Sequence, residues 1–206
     1  MPYNDILHML PVATQKVVGE MTALFEKIDD QTKIFARQTG LKCKHGCGAC
    51  CTNPDIEITV ADALPMAVYL WSKGHVESIL DVIRSPSSNS VCIFYKADLL
   101  VQGQGSCSIY PYRPGICRLF GFASRTDKHN QRELLTCKII KDSHAKACQL
   151  AQEKLQKGLC EAPLLSNHAL TVASIDPVHG HKQLPINQAI RLALEKIGYR
   201  IQNSKQ

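Results

Sequence analysis

No apolar run in this sequence is long enough to cross a membrane. The nearest, IEITVADALPMAVYLW, is interrupted by Glu57, Asp62 and Pro65. The first residues, MPYNDILHMLPVATQK, lack the basic stretch followed by an apolar core that marks a secretory signal. Together these absences predict a cytoplasmic protein without membrane contact. Also missing is any Lys/Arg block or basic stripe interleaved with aromatics. The formal charge of +6 is spread over pairs such as Lys42/Lys44, Arg113/Arg118, Lys138/Lys141 and Arg191/Lys196, so nucleic acid is not expected as a partner. Cysteines bound to metal would offset this charge, since four thiolates around Zn²⁺ leave a net charge of −2. There is no Ser/His/Asp order and no dinucleotide fingerprint. GQGS at 103–106 lacks the Gly-Lys-Ser/Thr ending of a phosphate loop and reads as a turn. Internal repeats and low-complexity tracts are absent. What remains is 206 residues, 45% hydrophobic and 20% charged: enough for one folded unit with its own core.

Helical periodicity is plain at 12–38, where Val17, Val18, Met21, Leu24, Phe25, Ile28, Ile34 and Phe35 recur on one face and Gly40 is placed to end the helix. DIEIT predicts a short strand with Ile56 and Ile58 on one face. Thr59 and Asp62 then form a capping pattern for a helix at 60–73, closed by Gly74, with Pro65 expected to distort its first turn. HVESILDVIRS, HAKACQLAQEKLQKGL and INQAIRLALEKIGY read as further helices, the last with Gly198 near its end. SPSSNS reads as a loop, VHGHK as a loop carrying an exposed pair, His179 and His181, and 91–126 as irregular backbone rich in Gly, Pro and Cys. The expectation is a mainly α fold, α+β at most in a small way, with an irregular cysteine-rich middle stapled by metal. Its parts would be an N-terminal helix at 1–40, a cysteine-cluster domain at 41–140 and a C-terminal helical segment at 141–206, forming one unit.

Ten cysteines are the positive signal. In a reducing compartment they point to metal or catalysis rather than to disulfides. Cys43-x₃-Cys47-x₂-Cys50 sets three sulfurs in one knuckle, and Gly46 and Gly48 permit the tight backbone this needs. Cys51 is awkward as a second ligand to the same ion as Cys50, because adjacent side chains point apart. Cys92, Cys107, Cys117 and Cys137 bring the set to eight, enough for two four-sulfur zinc sites or one Fe–S cluster with ligands to spare. A segment poor in periodic apolar residues would draw folding energy from such a metal. Cys148 and Cys160 read as packing or surface thiols in the helix after the cluster.

CKHGCGACC, followed by CSIYPYRPGICRLFG and a later cysteine, resembles the YkgJ-type cysteine-cluster (CxxCxxCC) family of zinc- or iron-chelating, Fe–S-cluster-containing proteins, over residues 43–137. The first gap here is three residues rather than two. The resemblance implies metal ligation by Cys43, Cys47, Cys50, Cys51, Cys92, Cys107, Cys117 and Cys137, and a distant relation to flagellin lysine N-methylases. It implies no particular reaction.

The expected function is a small intracellular metal protein holding an Fe–S cluster, or zinc at one or two sites, for electron or group transfer with an unknown partner or substrate. An all-thiol donor set argues against hydrolysis by a metal-bound water. A structural zinc module that presents helices to a partner is the alternative. A radical-SAM-like enzyme is a minor one, since the knuckle spacing fits but a long helix precedes it and no βα series follows. Arg113 and Arg118 flank Cys117 and are expected beside the sulfurs, where a cation offsets thiolate charge.

Overall fold

Helix α2 (Val12–Thr39) places Val18, Met21, Phe25, Ile28 and Phe35 on a buried stripe and ends at Gly40, which takes a left-handed conformation that lets the chain turn out. Ile34 lies off that stripe and is exposed. The computed structural model describes residues 2–44, 46–85, 91–101 and 104–203. Short α1 (Tyr3–His8) precedes α2. Strand β1 (Glu57–Ile58) pairs antiparallel with β6 (Leu184–Pro185), and Ile56 and Ile58 are both buried. Helix α3 (Val60–Lys73) opens on a capping box: Thr59 Oγ1 accepts from Asp62 N at 3.1 Å and Asp62 Oδ2 accepts from Thr59 N at 3.3 Å. It runs uninterrupted through Pro65 to Gly74. That proline costs one helical hydrogen bond near the start without breaking the helix.

Helix α9 (Ile186–Asn203) crosses α3 in the most extensive helix–helix contact. With α1 and α4 (Val76–Arg84) the pair builds the main core around Leu64, Met66, Val68, Ile190, Leu194 and Ile197. Truncating one such fully buried leucine to alanine costs about 2–5 kcal/mol. Gly198 does not end α9. A Cβ there would sit 2.5 Å from Trp71 Cζ2, so this glycine lets α9 approach the indole, whose Nε1 donates to Leu194 O at 3.0 Å.

The middle of the chain is more ordered than its sequence suggests. Strands β2 (Tyr95–Ala97) and β3 (Gly105–Cys107) form one hairpin, so Gly105 and Ser106 belong to a strand rather than a turn. Strands β4 (Ala123–Thr126) and β5 (Arg132–Leu135) form another, and between them lie a 3-10 turn (Tyr110–Tyr112) and α5 (Gly115–Leu119). Strands of three or four residues are too short to show alternation in sequence. Nor does this segment lack apolar anchors, because Phe94 and Ile109 are buried members of the main core.

After α6 (Lys138–Ser143) and α7 (Ala145–Gln156), α8 (Leu165–Ile175) lies against α2 and β4. The expected loop at 85–90 falls, beyond Ser85, outside the described residues. The loop at 177–183 is present, but its histidines differ from an exposed pair. His179 is half-buried, with Nδ1 3.2 Å from Asp176 and the ring 3.1 Å from Lys196 Nζ, while His181 is exposed. The fold is therefore mainly helical, with small sheets that are each an antiparallel pair among the described residues. That topology is unlike the parallel (βα) barrel a radical-SAM enzyme would need. No helix among the described residues is long and apolar enough to cross a membrane.

Candidate metal centre

The knuckle is clasped onto the β2–β3 hairpin and the turn before it by main-chain bonds. Gly105 N donates to Gly46 O at 2.9 Å, and Cys92 N to Cys51 O at 3.1 Å. Gly46 and Gly48 have φ of 67° and 59°. A Cβ on Gly48 would lie 2.6 Å from the Tyr95 ring and 2.8 Å from the Gly105 carbonyl carbon, so only glycine allows the two backbones to meet. This contact turns the knuckle toward the later cysteines.

Five thiols then line one cavity of about 50 Å³: Cys50, Cys51, Cys92, Cys107 and Cys117. Ile56, Met66, Phe94, Ile109 and Ile186, all of the main core, wall it, and Arg113 stands at its side. Cys43, Cys47 and Cys137 are not among its lining. Cys43 is an exposed residue near Cys47 and Cys137. Partial covering of its thiol, followed by the like charges of Cys47, Cys137 and Cys50, pushes it up. Cys137 caps α6, its Sγ accepting from Ile140 N at 3.4 Å. Among the described residues, no three His, Cys, Asp or Glu side chains are close enough together to grip an ion as they stand. The structure thus gathers five of the eight candidate sulfurs around one space and leaves three beside it.

Electrostatics within the cavity are uneven. Cys51 hydrogen-bonds both Cys107 and Cys50, and these contacts, then burial, push the Cys51 thiol far up. The same bond from Cys51 brings Cys50 down to about 6 and Cys107 down to about 7. Having a single S–H, Cys51 serves one of the two at a time. Burial raises Cys92 to about 11 and raises Cys117 further, the latter also by the facing charge of Cys92. Arg113 works against the upward shifts of Cys43 and Cys117 and adds to the lowering of Cys50 and Cys107.

The two arginines behave differently. Arg113 packs over the Tyr110 ring at 3.9 Å, and donates from Nη1 to Tyr110 O at 3.0 Å and from Nη2 to Asp29 Oδ1 at 3.3 Å. Its Nε is buried without a hydrogen-bond partner. Arg118, 8% exposed, turns instead to oxygen: Nε to Arg113 O at 2.9 Å, Nη2 to Pro111 O at 2.6 Å and Nη1 to Asp29, with the Phe25 ring against its guanidinium. Arg118 thus fixes the YPYRP segment, as does Tyr112 stacked on Tyr69 at 3.6 Å, and Arg113 is the cation at the sulfurs. Asp29, on α2, is the residue the sequence did not reveal. Its partners lie 84 and 89 positions downstream, and a lone aspartate on a helix gives no sign of them.

The five thiols of the lining suit a thiophilic ion, and the orphaned Arg113 Nε is a donor for which a thiolate would be a natural acceptor, so the residues present fit zinc or iron. Cys148 is half-buried in α7, its Sγ 3.8 Å from Ile140 O. Cys160 is buried in the turn after α7 rather than in the helix. Both pack in a second hydrophobic cluster with Phe35 and Leu41.

No curated protein and no solved structure matches the chain. A family model does, over residues 42–149, more than half the sequence and further than residue 137, so that Cys148 falls inside the match. That family carries the description "Putative zinc- or iron-chelating domain", and this chain belongs to it.

Proposed function

We propose that the protein holds an Fe–S cluster or zinc on the cavity sulfurs, Cys50, Cys51, Cys92, Cys107 and Cys117, with Cys43, Cys47 and Cys137 completing the set beside it, and uses the centre in electron or group transfer. The observation that carries this reading is the meeting of five thiols and one unpartnered arginine donor at a single small cavity. An Fe–S cluster there would supply one-electron redox capacity, and zinc a Lewis acid. The residues hold and tune the centre. The lowered thiols of Cys50 and Cys107 would be the readiest thiolate donors, Arg113 would offset their charge, and the isoleucine, methionine and phenylalanine walls would limit water.

A role beyond structure is favoured because the cavity is cut into a core whose fully buried side chains, on α1, α3, α4 and α9, are apolar, with Cys92, Cys107 and Cys117 packed against it. Structural zinc modules depend on the metal for their fold, and this chain has apolar burial of its own. Anaerobic purification of untagged protein, with iron, zinc and acid-labile sulfide quantified, tests the reading. Brown protein with iron and sulfide supports the redox form, and colourless zinc-rich protein supports the adaptor alternative. Protein that holds neither metal, even after reconstitution, contradicts both.

A further inference from the structure

Asp29 belongs to none of the cysteine segments, yet it accepts from both arginines that flank Cys117. Its side chain is 25% exposed, against 15% for Arg113 and 7% for Arg118, so the three charges meet in a partly dry seam between α2 and the YPYRPGICR segment. One carboxylate and two guanidinium groups leave a net positive charge there. Arg118 is tied down by two backbone carbonyls as well. Arg113 has fewer anchors: Tyr110 O and its ring on one side, Asp29 on the other. Both of its terminal nitrogens are engaged in this way, which leaves Nε–H as the group with no partner.

We propose that Asp29 is a positioning residue for the metal centre, holding the Arg113 guanidinium by Nη2 so that its free Nε–H and its charge are presented to the cavity sulfurs. This rests on the metal reading above and extends it to a residue on a different element. Buried donors left unpaired are costly, and a thiolate whose charge is taken out of water needs a donor of this kind. The two deficits cancel when metal-bound sulfur faces Arg113. Partners of this sort, one bond removed from the ligands, change metal affinity by roughly 10–100-fold when lost.

The test uses full-length protein loaded with zinc and mixed with a chromogenic chelator, with release rates followed for wild type, Asp29→Asn, Asp29→Glu and Arg113→Lys. Asp29→Asn keeps the size and removes the charge, and should release zinc about 10-fold faster or more. Asp29→Glu should restore most of the slow release. Arg113→Lys keeps a charge but has no Nε–H, and should resemble Asp29→Asn; combining the two should add little, because both break one unit. Melting of the metal-free proteins separates positioning from folding, since a merely structural Asp29 would lower that melting point and leave release unchanged. Release from Asp29→Asn within twofold of wild type overturns the proposal. Should Asp29→Asn not fold, wild-type release from Arg113→Lys overturns it instead. Wild-type protein that binds neither zinc nor, after reconstitution, iron sinks the metal reading and this inference with it; where iron alone is held, its release is compared in the same variants, and metal-binding wild type with unaltered variants sinks this inference alone.

Discussion

A cysteine's neighbours decide whether it meets a metal as thiol or thiolate, and here they differ within one cavity. Cys50 and Cys107 are lowered to about 6 and about 7, chiefly by the bond from Cys51, while burial holds Cys92 and Cys117 up. A lowered thiol is ionised above its own pKa and loses that advantage as pH falls through it. In reduced, metal-free protein near neutral pH, iodoacetamide should therefore modify Cys50 and Cys107 before Cys51, Cys92 and Cys117, as read by peptide mass spectrometry. As pH is brought from about 7 to about 5, modification of both should slow, that of Cys107 earlier, whereas an ordinary thiol near 8.5 would already be mostly protonated throughout. Uniform labelling of all the cavity cysteines would contradict this ordering. The cysteines themselves were legible because nothing else explains four thiols in nine residues. Asp29 and the unpartnered Arg113 Nε were not, because they exist only once residues some 84 positions apart are brought together.

Among the elements, those with local signals were readable and those made by tertiary contact were not. Helix α2 with Gly40, and α3 with its Thr59–Asp62 box and Gly74, appear where composition put them. Helix α8 escaped notice because only Val172 of its residues is buried and β-branched side chains weaken its helical signature. The two hairpins were hidden by their length, and the role of Gly198, to admit the Trp71 ring, was not readable from its place near the helix end. The capping box has a measurable worth. Thr59 is buried, and replacing it with alanine removes the acceptor for Asp62 N and leaves the Asp62 carboxylate one donor short. Thr59→Ala should cost about 1–2 kcal/mol, a drop of about 2–8 °C in melting temperature for a chain of this size. An unchanged melting curve would show that the box is not holding α3.

For the whole molecule, the issue is whether metal makes the fold or the fold makes the metal centre. The main core joins α1, α3, α4 and α9 through apolar side chains, and the cysteine cavity borrows its walls from that core. Stripping metal with a chelator under reducing conditions should therefore leave the far-UV helical signal largely intact while loosening the knuckle and the β2–β3 hairpin. Collapse to an unfolded spectrum, as in zinc-finger peptides, would mean that the metal supplies the folding energy. Which sulfurs hold the metal is read from the metal bound per chain. Single Cys→Ser variants at Cys92, Cys107 and Cys117 should lose most of the bound iron or zinc relative to wild type, while a Cys148→Ala/Cys160→Ala double variant keeps its full complement. Full metal in the three cavity variants, or its loss from the double variant, would mean that other sulfurs hold the metal.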